Sequence, residues 1–152
     1  MKSLSIRFGL FNLAVFGGPY RQRPKGTFGV KMAREIDLPY DVSVPTVDFQ
    51  VPPVEAMERG LITTLYAIAR REKVYVGCMG GIGRTGTFLA LLARATGVQP
   101  EVAVQYVRRY YNEHAVETRE QRRYVERFDL TRVRKHYRIA RIVALAYFWK
   151  RV

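Results

Sequence analysis

Residues 73–95 read KVYVGCMGGIGRTGTFLALLARA, and three kinds of segment meet there. Lys73 to Val76 is a β-branched and aromatic run of strand type. GCMGGIGRTG follows, too rich in glycine to continue the strand. From Thr85 to Ala95 the apolar residues recur as in a helix packed on a core. Strand, glycine-rich loop and helix in that order place the loop at the carboxyl end of a strand and the amino end of a helix.

Working outward, Leu4–Phe8 and Leu13–Phe16 read as short strands, and GGPYRQRPKG (residues 17–26) reads as a basic loop kept irregular by its glycines and prolines. Residues 40–49 are rich in valine but contain Pro45, which suits an edge strand or one that ends early. Pro52 and Pro53 open a helix to about Arg71, with Val54, Met57, Leu61, Leu65 and Ile68 on one face. Downstream, helices are expected from Pro100 to Tyr111, after Thr118, and from Leu130 to Lys150. Strands early and helices late predict a small α/β domain over residues 1–152, a central sheet of four to five strands with helices packed on it.

The loop is built to hold an anion. Its backbone N–H groups can turn inward, and the helix amino terminus adds partial positive charge. CMGGIGRT comes close to the Gly-x4-Gly-Lys-Ser/Thr pattern of nucleotide-binding loops, but Cys78 replaces the first glycine and Arg84 replaces the lysine. Cys78 and Arg84 form Cys-x5-Arg, with a thiol at the loop's floor and a guanidinium at its closing edge. At a helix head, ringed by N–H donors and beside Arg84, the thiol is expected to act as a thiolate nucleophile. Arg84 can grip two phosphoryl oxygens at once, which lysine cannot. Gly80, Gly81 and Gly83, with Met79 and Ile82, wrap backbone around the anion. Thr85 can donate its hydroxyl to the Cys78 sulfur and help it leave.

VGCMGGIGRTG resembles the loop of the protein tyrosine phosphatase superfamily, especially its compact dual-specificity members. The resemblance extends to VPTVDFQVPP, which looks like that family's acid loop, with Asp48 thirty residues before Cys78, and to AVETREQRRYVERF, which looks like its water-positioning segment. It implies a phosphatase-like fold, Asp48 as general acid and Gln121 as the residue that orients the hydrolytic water. Asp41 is a competing acid, farther from the Pro pair. The chemistry implied is a two-step hydrolysis through a phosphocysteine, with no metal or cofactor. One departure stands beside the nucleophile, where Gly77 occupies a position the family usually gives to histidine.

Lys+Arg 26 against Asp+Glu 13 leaves +13, which favours anionic partners such as phosphate esters, nucleic acid or acidic lipid. Phosphorylated proteins are the default substrates. The charge keeps phosphoinositides and RNA 5′-phosphates open, and Gly77 keeps open a phosphate-binding role without turnover. Arg21, Arg23 and Lys25 are candidates for the rim of the site. Arg132, Arg134, Lys135, Arg138 and Arg141 give the last helix a basic face, solvated or docked on acidic lipid or nucleic acid. The oligomeric state is not encoded in any motif.

A single cysteine excludes an internal disulfide framework and any multi-cysteine zinc site, so a reducing, cytoplasmic setting is expected, with peripheral membrane contact through the basic helix as the variant. His114 and His136 lack metal-site spacing and read as surface residues. The first twenty residues, interrupted by Arg7 and Asn12, read as structure rather than a leader, and no apolar run is long enough for a spanning helix.

Overall fold

Five strands form one mixed sheet in the order β1-β2-β5-β3-β4 in the computed structural model, which describes residues 1–151. The strands are β1 (Lys2–Phe8), β2 (Phe11–Pro19), β3 (Phe28–Ala33), β4 (Val42–Thr46) and β5 (Val74–Cys78). Only β1 and β2 are antiparallel, joined by a tight turn at Gly9 and Leu10; β2, β5, β3 and β4 run parallel. Five α-helices pack on the sheet: α1 (Val54–Ala69), α2 (Gly83–Ala95), α3 (Ala103–Tyr110), α4 (Arg119–Arg127) and α5 (Thr131–Arg151).

β5 lies between two parallel neighbours and is buried at every position, as expected of a central strand covered on both faces. α2 is buried along its whole length and continues the chain directly from the loop after β5. The loop therefore opens at the carboxyl ends of the parallel strands, where ligands of open α/β sheets bind. β4 is the edge strand that Pro45 foretold, with Pro45 exposed.

Several boundaries differ from the sequence expectation. β2 runs through Gly17, Gly18 and Pro19 and is followed by a 3-10 turn at Tyr20–Gln22, so much of the segment read as loop is ordered against β5. β3 was not foreseen. Phe28–Ala33 is short and buried nearly throughout, so it lacks a polar alternation, and its buried Lys31 disguises it further; the Lys31 ammonium donates to Ile36 O. α2 starts at Gly83, inside the glycine run, its first turn closed by Gly86 N–H donating to Ile82 O at 2.9 Å. The helix expected from Pro100 begins as a 3-10 turn before α3.

α5 packs on α1 through Val133, Ala140 and Ala144. His136 is a correction to the surface reading: it is half-buried, its Nδ1 3.0 Å from the Tyr66 hydroxyl. Arg23 also departs from the rim role. Its guanidinium turns into the β3–β4 connection, donating to Thr27 and Pro39 and pairing with Asp41 at 2.9 Å.

Gly77 is fixed by packing between β5 and the end of β2. A Cβ there would lie 2.7 Å from Tyr20 Cα and 2.8 Å from Gly18 O, both backbone atoms that cannot give way. No side chain fits, histidine least of all. Gly77→Ala is expected to lower stability by about 1–3 kcal/mol, the usual cost of overpacking, and chemical denaturation measures it.

Candidate active site

The loop from Cys78 to Arg84 closes around the Cys78 sulfur. Gly81 N–H donates to Sγ at 3.3 Å and the Thr85 hydroxyl donates at 3.1 Å, so two residues named from sequence meet the thiol directly. Gly81 adopts φ +73°, the left-handed region that glycine enters without strain, and its α-carbon lies against the Gly18 backbone where any side chain would collide. Met79 and Gly80 form the exposed crest of the loop, Ile82 is half-buried, and Gly83 begins α2. The first turn of α2 supplies N–H groups with no intrahelical acceptor.

Two tyrosines brace the loop from behind. Tyr111 donates its hydroxyl to Gly81 O at 2.7 Å, and Tyr75 donates to Pro19 O at 2.9 Å. Burial first, then the negative charge at Cys78, raises both phenols above their ordinary 10.0, so each remains a protonated donor. Gly17 and Gly18 lack side chains because the Tyr111 and Tyr75 rings occupy that space. None of this bracing was visible in sequence, since it joins β2, β5 and the end of α3.

Arg84 is 1% exposed, and its guanidinium is held by a residue that sequence reasoning missed. Glu35, just after β3, accepts from Nη1 at 2.7 Å and from Nη2 at 2.8 Å. Thr46 O accepts from Nη1 at 2.8 Å. Those contacts use both hydrogens of Nη1 and one of Nη2. The edge that remains comprises Nε–H and the outer hydrogen of Nη2, a two-donor fork shaped for two oxygens of one anion. Nε is buried and has no acceptor among the described residues. Burial opposes the charge on Arg84, but the Glu35 carboxylate and the negative charge at Cys78 outweigh it and raise its pKa above the ordinary value.

Asp48 sits at that open edge. Its Oδ1 lies 3.5 Å from Arg84 Nη2, and the side chain is half exposed at the mouth. The residue after it, Phe49, has φ 62°, an unusual backbone conformation for a bulky residue and one found at functional turns. Phe49 N–H donates to Asp48 Oδ1 at 3.0 Å. Asp41, the competing acid, is taken up elsewhere, accepting from Gly29 N–H at 2.7 Å and from Arg23.

Gln121 is fully buried at the start of α4. It forms a reciprocal cap with Thr118, its Oε1 accepting from the N–H groups of Glu117 and Thr118, and its Nε2 donates to Gln50 O at 3.1 Å. That last bond ties α4 to the loop carrying Asp48. Glu117 lies against Gly83, where a side chain on the loop would strike its carboxylate. Arg108 holds the strand of chain leading there, donating to Ala115 O and Val116 O at 2.8 and 2.7 Å.

A thiol and an anion-accepting guanidinium edge at the head of one helix match a known family. The model described as the Swiss Army Knife protein DSP-PTPase phosphatase domain, PTP-SAK, covers residues 25–132. The chain belongs to this family. The PTP-SAK match includes Glu35, Asp48, the whole Cys78–Arg84 loop and Gln121, and the family is described as a phosphatase domain of the DSP-PTPase type. Among solved structures, the active form of Tk-PTP is 28% identical with a TM-score of 0.56, covering 70% of this chain and 77% of that one. Kinase associated phosphatase, with serine in place of its catalytic-site cysteine, has a TM-score of 0.59 at 14% identity over 84% of this chain and 94% of that one, and shows the shared fold. The phosphatase-like α/β fold expected from sequence therefore holds. Two uncharacterized proteins of Methanocaldococcus jannaschii are also similar. MJECL20 is 40% identical over 93 residues, 58% of this chain and 62% of that protein. MJ0215 is 42% identical over 82 residues, 54% and 50% respectively. The matched stretch thus spans about half to three fifths of these curated relatives.

Glu35 is held to a pKa of about 2, below its ordinary 4.5, first by the hydrogen bond from Arg84. A depressed carboxylate stabilises the folded state fully above the ordinary value and loses that contribution as pH falls through about 2. The stability gap between wild type and Glu35→Gln is therefore expected to narrow between pH 5 and pH 2 in urea melts. At neutral pH the same variant, with the guanidinium released, is expected to lose about 10²-fold in kcat/KM, the scale of a misplaced reacting group.

Proposed function

We propose that the chain hydrolyses phosphate monoesters, with phosphotyrosine or phosphoserine/threonine proteins as its substrate class, through a phosphocysteine intermediate and without a metal ion. The observation that carries this reading is the buried Arg84 guanidinium, whose Nε has no acceptor among the described residues while Glu35 fixes its other side, six residues along the same loop from Cys78. Two phosphoryl oxygens accept from the Nε/Nη2 edge of Arg84, and N–H groups of the loop receive the third.

In the first step Cys78 Sγ attacks phosphorus as the P–O bond to the leaving group breaks. Asp48 gives its proton to the departing oxygen. In the second step water attacks the phosphocysteine, Asp48 takes a proton from it, and the S–P bond breaks as Thr85 donates to the leaving sulfur. Gln121 is assigned to that water through the second hydrogen on Nε2. Because Gln121 is buried and bonded to Gln50 O, this duty requires the acid-loop contact to open after the first step. Gly77 is explained by backbone packing, so its presence gives no support to a binding-only role.

The test is p-nitrophenyl phosphate turnover in the presence of a chelator. Wild type is expected to turn over, Cys78→Ser to be inactive, and Asp48→Ala to lose about 10²–10⁴-fold in kcat, the usual worth of general acid catalysis. Cys78→Ser matching wild type would overturn the reading. Equal rates on phosphotyrosine and phosphoserine peptides, each exceeding those on inositol lipid and 5′-phosphorylated RNA, would support the substrate class; the reverse order would reject it.

A further inference from the structure

At the end of the molecule opposite the loop, the β1–β2 turn and the outer face of α5 form a surface the phosphatase chemistry does not use. Leu10 at the turn is 83% exposed, and Ile142 and Trp149 on α5 are 69% and 72% exposed. Leu145 and Phe148 lie between them, also exposed. These residues recur along one side of the helix and continue onto the turn, where Phe11 meets Phe148 with ring centroids 5.2 Å apart. A contiguous apolar ridge of this kind is uncommon on a lone surface and marks a site of association.

Arginines border the ridge. A cavity of about 440 Å³ at the end of α2 is lined by Arg7, Arg134, Arg138 and Arg141, and a smaller, more apolar one of about 300 Å³ beside it shares Arg138 and Arg141 and is completed by Leu10, Ile142 and Leu145. None of the four arginines forms an ion pair among the described residues. Other side chains and backbone set their positions: Arg7 donates to Gly9 O, Arg134 to Arg94 O, and Arg141 lies over the Tyr137 ring. Arginines that form no close ion pair, next to aliphatic side chains with no cover, complement a surface that is anionic outside and apolar beneath.

We propose that this face docks the protein on an anionic phospholipid bilayer, the arginines taking headgroup phosphates while Leu10, Ile142, Leu145 and Trp149 enter the interface. A second copy of the chain fits poorly, because a self-complementary contact here would set the arginine clusters against each other. Nucleic acid satisfies the arginines but leaves Leu10, Ile142 and Leu145 without a partner, since aliphatic side chains offer no face for base stacking. The attachment is peripheral: no helix among the described residues is long and apolar enough to cross a membrane.

Docking also fixes an orientation. Pro19 pairs with Cys78 at the loop end of β2, whereas Phe11 and the turn lie at its other end, about 26 Å away along the strand. The mouth beside Cys78 consequently faces away from the bilayer. On the phosphatase reading above, the bound enzyme acts on substrates in the aqueous phase, and headgroups of its own membrane stay out of reach.

Vesicle binding tests the docking independently of catalysis. The full chain is mixed with vesicles of phosphatidylcholine alone or of phosphatidylcholine and phosphatidylglycerol in equal parts, and binding is read by sedimentation and by emission from Trp149, the single tryptophan. Anionic vesicles are expected to bind at least about tenfold better than neutral ones and to shift Trp149 emission to the blue, since each arginine near such a surface is worth about fivefold in partition. Arg138→Glu with Arg141→Glu, Ile142→Ser with Leu145→Ser, and Leu10→Ser should each weaken binding while the far-ultraviolet circular dichroism stays that of wild type. Equal binding to both vesicle types, or variants that bind like wild type, would overturn the proposal. So would capture of single-stranded RNA without vesicle binding, or a dimer that Ile142→Ser dissociates.

Discussion

The site depends on the bidentate bond between Glu35 and Arg84. A guanidinium buried beside a thiol is costly unless its charge is met and its hydrogens are accepted. Glu35 and Thr46 O meet that demand from one side only, at 2.7 to 2.8 Å. The asymmetry gives the loop its chemistry. Three of the four terminal hydrogens are committed to Glu35 and Thr46 O, so Nε–H and the outer hydrogen of Nη2, the latter 3.5 Å from Asp48, are what an anion can use. Preorganisation of this kind places the donors where charge gathers in phosphoryl transfer. Glu35 follows β3 and Thr46 ends β4, so two strands beyond β5 are enlisted to orient one side chain of α2.

A second constraint acts on the opposite flank, where backbone meets backbone. Gly17 and Gly18 at the end of β2 let Tyr111 and Tyr75 slide behind the loop, and Gly77 and Gly81 let the loop lie directly on the β2 backbone. Tyr111 then fixes the Gly81 carbonyl, and on the preceding peptide the Gly81 N–H donates to Sγ. The cradle is thus rigid on the β2 side through close packing and on the β3 side through charge. The loop carrying Asp48 is held from outside by Arg84 and Gln121, with Asp48 and Phe49 exposed.

The local chemistry was legible in sequence because it is local. Cys78, Thr85 and Arg84 lie within one strand-loop-helix unit, and that unit dictates how they converge. Asp48 and Gln121 came from family resemblance, and the structure has Asp48 3.5 Å from Arg84 and Gln121 bonded to Gln50 of the loop that carries Asp48. Glu35 was not legible, since forty-nine residues separate it from Arg84. The one available signal was the arginine itself, a charge in an apolar helix that needs a carboxylate from somewhere. β3 escaped because a short strand buried on both faces shows no alternation. Gly77 read as a departure from pattern because its reason, the passage of Tyr20 and Gly18 against it, exists only in three dimensions.

In the proposed mechanism Cys78 carries the phosphoryl group between the two steps. The most direct measurement is acid quenching of the enzyme during turnover, followed by proteolysis and mass spectrometry of the peptide containing Cys78. One phosphoryl group on that peptide, appearing with substrate and absent from Cys78→Ser, is the predicted result. Steady turnover with the phosphoryl group on another residue, or with none on the protein at any time, would contradict it.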